Sequence, residues 1–198
     1  MGLGFVMLQR SLRFIFSSVV IGCSVLASPV IASAGPSHAD LDAAALEMAS
    51  GFSAIARREI SFSTDEEPGT IIVDTGERRL YLVLEDGRAM RYGIGVAREG
   101  FEWNAVLKIS AKREWPGWTP PEAMIRREPD LPRFMPGGLD NPLGARALYL
   151  GNTLYRIHGS NEPETIGEAV SSGCIRMLNA DVIDLYERVR IGAKVIIQ

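Results

Sequence analysis

The stretch "TIIVDTGERRLYLVLEDGRAMRYGIGV" alternates short apolar runs with turn residues, the spacing of a strand meander. An apolar strand is predicted at 71–73 and an alternating one at 80–84. Asp86-Gly87 reads as a two-residue hairpin turn, and the return strand carries Met90, Tyr92 and Ile94. "AVLKISAKREW" continues the meander. "PGWTPPEAMIRREPDLPRFMPGGLDNPLG" follows, rich in Pro, Gly and Trp, with one short helix predicted near 120–127. A segment of that length in a compact domain reads as a lid or binding loop. "ALYLGNTLYRIHG" is a second hairpin turning at Gly151-Asn152, which leaves His158 just past a strand end. "IGEAV" reads as a short helical turn. Asn179 is placed to cap a helix with buried face Val182, Leu185, Tyr186 and Val189; Gly192 ends it, and a last strand covers 194–197.

Upstream of the meander the period changes. Leu41, Ala45, Met48, Ala49, Phe52, Ile55 and Ala56 recur at helical spacing, predicting a helix over 37–59 that Ser37 and Asp40 begin. "SFSTDEEPG" reads as a polar linker. The expected fold class is therefore mainly β with one or two helices, behind an N-terminal helical extension.

Residues 1–34 read differently from all of this. Arg10 and Arg13 precede an apolar run with no acid, and Ala32-Ser33-Ala34 has the small-x-small form that a signal peptidase cuts. The run is short and serine-rich for a membrane span of about 20 apolar residues. A cleaved secretory signal is expected. An uncleaved anchor is one alternative; lipidation at "VIGC" (20–23) is another, disfavoured because the apolar stretch continues past Cys23. Cleavage removes two arginines, so the formal charge of −3 becomes −5 on a mature chain of 164 residues, enough for one domain with a real core. Mildly acidic and without a Lys/Arg run, it shows no sign of a nucleic-acid partner.

Cleavage also leaves Cys174 as the only cysteine. Exported proteins usually keep cysteines as disulfides, so a lone thiol is conspicuous. It is either a buried inert cysteine or a nucleophile. Sixteen residues before it stands His158, the one histidine of the predicted domain; His38 falls near the new N-terminus and reads as solvated. Acyl transfer needs a nucleophile, a base and N–H donors for the oxyanion. Cys174 and His158 supply the first two, and a Cys–His pair provides thiolate at neutral pH. Gly173 leaves the backbone open to a substrate carbonyl, making the Gly173 and Cys174 N–H groups oxyanion candidates, and Gly159 suggests a tight turn that fixes the imidazole.

"RIHGSNEP", "SSGCIRM", "DVIDLYERV" with "GAKVII", and "NPLGARALYL" together resemble the catalytic domain of the L,D-transpeptidases, the YkuD-type domain, over 68–198. The resemblance does not reach 35–67. It implies a mainly β sandwich or barrel-like domain with cysteine and histidine facing a cleft, acting on peptidoglycan stem peptides in the periplasm or cell envelope. It further implies that Cys174 attacks the third residue of a tetrapeptide stem, that D-alanine leaves with His158 as proton shuttle, and that an amine of another stem or of an envelope protein resolves the thioester. Arg176 falls on a basic family position and is expected to contact a substrate carboxylate or to hold the loop by a salt bridge. Many members have histidine where this chain has Ser172. That position contributes chiefly backbone, so the substitution makes His158 more exclusively the base.

Three other readings differ in kind. An L,D-carboxypeptidase or cysteine peptidase would use the same pair with water as acceptor, although peptidases typically place cysteine before histidine. A non-enzymatic wall-binding module could stack sugars on Trp103, Trp115, Trp118 and Tyr149. A zinc site lacks ligands, and "GIGVAREG" lacks the glycine spacing of a dinucleotide fingerprint, so no cofactor is expected.

Overall fold

The structure, a computed structural model, describes residues 35–49 and 55–198. The expected signal segment, its Cys23 and Phe52 lie outside the described residues. Eleven strands and three helices follow in chain order among those residues. They are α1 (His38–Ala49), β1 (Arg58–Ser61), β2 (Ile71–Asp74), β3 (Arg79–Leu84), β4 (Arg88–Gly93), β5 (Val96–Ala97) and β6 (Ala105–Glu114). Next come α2 (Glu122–Arg127), β7 (Arg146–Leu150), β8 (Arg156–His158), β9 (Ala169–Ser171), β10 (Ile175–Arg176), α3 (Asn179–Arg188) and β11 (Lys194–Ile197). The mainly β class stands. No helix among the described residues is long and apolar enough to cross a membrane.

Nine strands form one sheet in the order β1-β4-β3-β2-β11-β6-β7-β8-β10. Its hairpins follow from local chemistry: Asp86 and Gly87 both take positive φ, 59° and 64°, as a twist-compatible two-residue turn requires. The ten-residue β6 joins the two halves. Its first part pairs with β11 and its second with β7, with a register break between Ile109 and Ala111. A bulge of this kind bends the strand and raises its twist. The sheet therefore curls, and Ile71, Val73, Leu80 and Leu82 from one half meet Leu148, Leu150, Ile157 and Ile175 from the other in a single buried cluster. Val182 and Leu185 of α3 close it.

Two expectations fail. Residues 58–61 were predicted to end a helix and begin a linker, yet they form β1, paired with β4. The 166–170 stretch was predicted helical, yet Ala169–Ser171 is β9, paired with β5; the only helical turn nearby is a 3₁₀ turn at Pro163–Thr165. Ile60 and Phe62 alternate, and they cover the outer face of the sheet at Ile72, Tyr81, Val83 and Ala89. Phe62 stacks on Tyr81 with ring centroids 4.7 Å apart. The burial of that outer face, a tertiary effect, overrides the local helical spacing.

α1 docks on the domain. Ser37 begins it as expected: its N–H and Oγ donate to Asp40 Oδ2 at 3.0 and 2.7 Å. Leu41 and Ala45 pack with Trp115, Ala145 and Ile183. Asp42 receives both terminal nitrogens of Arg146 at 2.9 and 2.6 Å and the indole N–H of Trp115 at 3.0 Å. The Arg146 side chain is only 4% exposed. Asp42→Ala would leave that guanidinium buried without its counter-charge, and we expect a loss of about 3 kcal/mol. Thermal unfolding should show this as a melting point roughly 6–12 °C lower. An unchanged melting point would mean that α1 is not anchored through Asp42.

Candidate active site

β8 and β10 run parallel, with Ile157 opposite Ile175 and His158 opposite Arg176. Successive side chains of a strand point to opposite faces. Ile157 and Ile175 are both buried in the core. Their neighbours Arg156, His158, Cys174 and Arg176 consequently share the other face, with Cys174 beside Arg156 and diagonal to His158. The two residues picked out by chemistry are thus brought together by a two-residue strand at the sheet edge. Arg156 was missed, although it stands two residues before His158 and alternation alone puts it on the same face.

His158 ends β8 and is 6% exposed. Its Nδ1 lies 2.6 Å from the Gly159 carbonyl. A carbonyl only accepts, so Nδ1 carries the proton and Nε2 keeps its lone pair. Burial pushes the imidazole down to about 4; the Gly159 carbonyl opposes this, and the Arg176 and Arg156 charges add to it. Burial pushes the Cys174 thiol up, while the Arg156 N–H and guanidinium, and the Arg176 charge, pull it back. Both shifts favour the neutral forms, imidazole and thiol, and the thiol's runs opposite in direction to the lowered value that a Cys–His pair suggests.

The turn before the thiol is built around Gly173, with φ +115°. A Cβ there would fall 2.3 Å from the Tyr155 ring, so the space read from sequence as open to a substrate holds an aromatic side chain. Trp103 stacks on Tyr155 at 4.3 Å and donates its indole N–H to the Gly173 carbonyl at 2.8 Å. The Gly173 N–H, an oxyanion candidate, donates to Ser171 Oγ at 3.2 Å, and Ser171 Oγ donates to the Cys174 carbonyl at 2.6 Å. Ser172 is half-buried on the same turn. Beside the turn lies a cavity of about 280 Å³ lined by Arg78, Ala97, Glu102, Trp103, Gly173 and Ile175, among others.

Gly159 fixes the imidazole from below. Its N–H donates to the Arg146 carbonyl at 3.0 Å, and a Cβ there would fall 2.1 Å from Asn179 Oδ1. Asn179 does not cap α3, whose N-cap is Leu178. Its Oδ1 accepts from the N–H groups of Ala145 and Ser160 at 2.9 and 3.2 Å, and its Nδ2 donates to the Ser160 carbonyl at 3.1 Å. It ties the end of the long loop to the turn after His158. Arg176 donates to Ser160 Oγ and to Glu162 Oε2, both at 2.7 Å. His38 pairs with Glu114 at 3.3 Å, far along the chain from this turn.

Two buried groups set an opposed pH dependence. Asp181 of α3 has one oxygen 3.3 Å from Arg57 and the other buried without a partner; burial raises it to about 6. Between 3.8 and 6 the folded chain holds this proton and the unfolded chain does not, so stability falls as pH rises. Between 4 and 6.5 the unfolded chain protonates His158 and the folded chain does not, so stability rises with pH. The slopes offset each other in wild type. Asp181→Asn should uncover the His158 slope, up to about 1.4 kcal/mol per pH unit upward, and His158→Gln the reverse slope. Urea titrations from pH 4 to 6.5 read both, and parallel curves for the two variants would refute the assignment.

The family model described as the L,D-transpeptidase catalytic domain, YkuD, matches residues 68–197. The chain belongs to the L,D-transpeptidase catalytic-domain family. A probable L,D-transpeptidase of Escherichia coli K12, ErfK/SrfK, is 40% identical over 132 residues, covering 63% of this chain and 42% of that protein. The chain thus spans less than half the length of that curated relative. A Brucella melitensis crystal structure described as a probable carnitine operon oxidoreductase is 44% identical and covers 73% of this chain and 94% of its own, with a TM-score of 0.51. The crystal structure of L,D-transpeptidase 3 from Mycobacterium tuberculosis shares the fold at 16% identity and a TM-score of 0.51, covering 65% of this chain and 60% of that one. The oxidoreductase description and the family match differ. A thiol and an imidazole on one face of the sheet edge fit the family match, which spans the sheet from β2 to β11.

Proposed function

We propose that this protein is an exported L,D-transpeptidase that acylates Cys174 with a peptidoglycan tetrapeptide stem and passes the acyl group to an amine. One observation carries the reading: the β8–β10 register sets Cys174 on the same face as a buried His158 whose Nε2 is free to accept a proton. As Sγ attacks the carbonyl carbon of the third stem residue, the thiol proton passes to Nε2. With the Gly173 N–H held by Ser171, the Cys174 N–H is the donor assigned to the oxyanion. The tetrahedral adduct collapses, the C–N bond to D-alanine breaks, and the imidazolium returns its proton to the leaving amine. His158 then deprotonates the incoming amine, which takes the acyl group and frees the thiol. Because His158 is neutral at rest, it acts as a base at the moment of attack and does not hold a preformed ion pair.

The acceptor we assign is an amine of a second stem or of an envelope protein, in cell-wall cross-linking and remodelling. Residues 1–34 act as the signal, 35–67 as a docked extension and 68–198 as the catalytic domain. D-alanine release measured with and without added acceptor amine tests the reaction. Release coupled to a new amide product supports transfer, and release into the free tripeptide alone would make the protein a carboxypeptidase. N-terminal sequencing of the envelope fraction should begin near Gly35; a lipidated start at Cys23 would place the protein on a lipid anchor instead.

A further inference from the structure

Two guanidinium groups share the thiol's face, and they are not in the same state. Arg176 is 12% exposed and already neutralised, gripping Ser160 Oγ and Glu162 Oε2. Arg156 has no such partner. Among the described residues no carboxylate lies within ion-pair distance of it, and its Nε is buried without a hydrogen bond. The charge is nevertheless held in place. Tyr149, opposite Arg156 in the β7–β8 register, sets its ring 5.0 Å beneath the guanidinium carbon. The same side chain faces the Cys174 sulfur. A positive fork, positioned by an aromatic ring, incompletely hydrogen-bonded and beside a nucleophile, is arranged for a planar anion.

We propose that Arg156, and not Arg176, is the carboxylate receptor of this site, drawing a carboxylate next to the scissile bond of a peptide donor onto the face of Cys174. The inference rests on the stem-peptide reading above. It narrows the donor to peptides with a free carboxylate flanking the reacting carbonyl, either the C-terminal carboxylate of the leaving residue or the side-chain carboxylate of the third residue. It gives Arg176 the second of its two expected roles: holding the turn that carries Gly159 and Ser160.

The first test needs no substrate. Cys174 in the full chain is alkylated with iodoacetate and with the neutral isostere iodoacetamide at one pH, and modification is read at that residue by peptide mass spectrometry. The ratio of the two rates cancels any change in thiolate content. We expect Arg156→Gln to lower the iodoacetate-to-iodoacetamide ratio about tenfold, as loss of a charge-assisted hydrogen bond does. Arg176→Gln should leave the ratio within about threefold of wild type. If Arg156→Gln slows both reagents in proportion, the guanidinium only supports the thiolate and the receptor role is wrong. If Arg176→Gln removes the preference, the assignment is reversed.

The second test uses three stems: the free tetrapeptide, its C-terminal amide and its side-chain amide. The amidation that slows wild type and no longer slows Arg156→Gln identifies the carboxylate. If wild type acylates all three alike, Arg156 selects no donor carboxylate and the proposal fails. If no stem acylates Cys174 while the alkylation ratio holds, the stem-peptide function is wrong and the carboxylate receptor stands.

Discussion

Replacing Cys174 with alanine is expected to abolish release of D-alanine from a tetrapeptide stem while leaving the fold in place. Loss of a covalent nucleophile in a comparable acyl-transfer site lowers turnover about 10⁶-fold, which here means to background. The structural cost is small. Cys174 is half-buried and caps an edge strand, so deleting one sulfur costs about 1 kcal/mol, or roughly 2–4 °C in melting temperature. Cys174→Ser is more informative still, because it keeps the shape and the neighbouring hydrogen bonds. Activity should be lost in both, with near-superimposable unfolding curves. Full activity of the alanine variant would remove the thiol from the mechanism.

The second large effect is at His158. His158→Ala is expected to lower the acylation rate about 10²–10⁴-fold near neutral pH, the usual contribution of a positioned general base. The loss should shrink as pH rises, because solvent then generates the thiolate that the imidazole no longer can. The wild-type profile has a specific signature. With His158 held down to about 4 by burial, kcat/KM should keep its value on acidification until about pH 4 and fall below it, where the imidazole becomes protonated and cannot accept. That acid limb should vanish in the alanine variant. A wild-type limb near 6.5 would mean that the imidazole is solvated in the working enzyme. At the alkaline end, thiol alkylation should rise with a midpoint above the ordinary thiol value, since burial outweighs Arg156 and Arg176 at Cys174.

How much of this was legible in the chain depends on whether the signal was local. The β3–β4 hairpin was, because Asp86-Gly87 encodes its turn within two residues. α3 was legible from its period, though Asn179 was misread as its cap. An asparagine at a helix start and an asparagine that cross-links two loops look the same in sequence, and only the approach of Gly144 and Gly159 to its Oδ1 separates them. β1 and β9 were lost because each is a short segment whose strand character comes from a partner distant in the chain, β4 and β5 respectively. The thiol and the imidazole stood out by their rarity, and the register of β8 and β10 supplied what rarity could not: the arginine opposite the thiol. The direction of the thiol's shift was not legible either, since a Cys–His pair suggests a lowered value and only the fold shows that both groups are buried.

Acylation of Cys174 is read directly by intact mass spectrometry of the full chain after incubation with a purified tetrapeptide stem. A mass increase equal to the tripeptide acyl group, mapped to Cys174, should appear together with one equivalent of free D-alanine and be absent from the Cys174→Ala protein. D-alanine release with the Cys174→Ala protein at the wild-type rate, or an acyl adduct on any other residue, would contradict it.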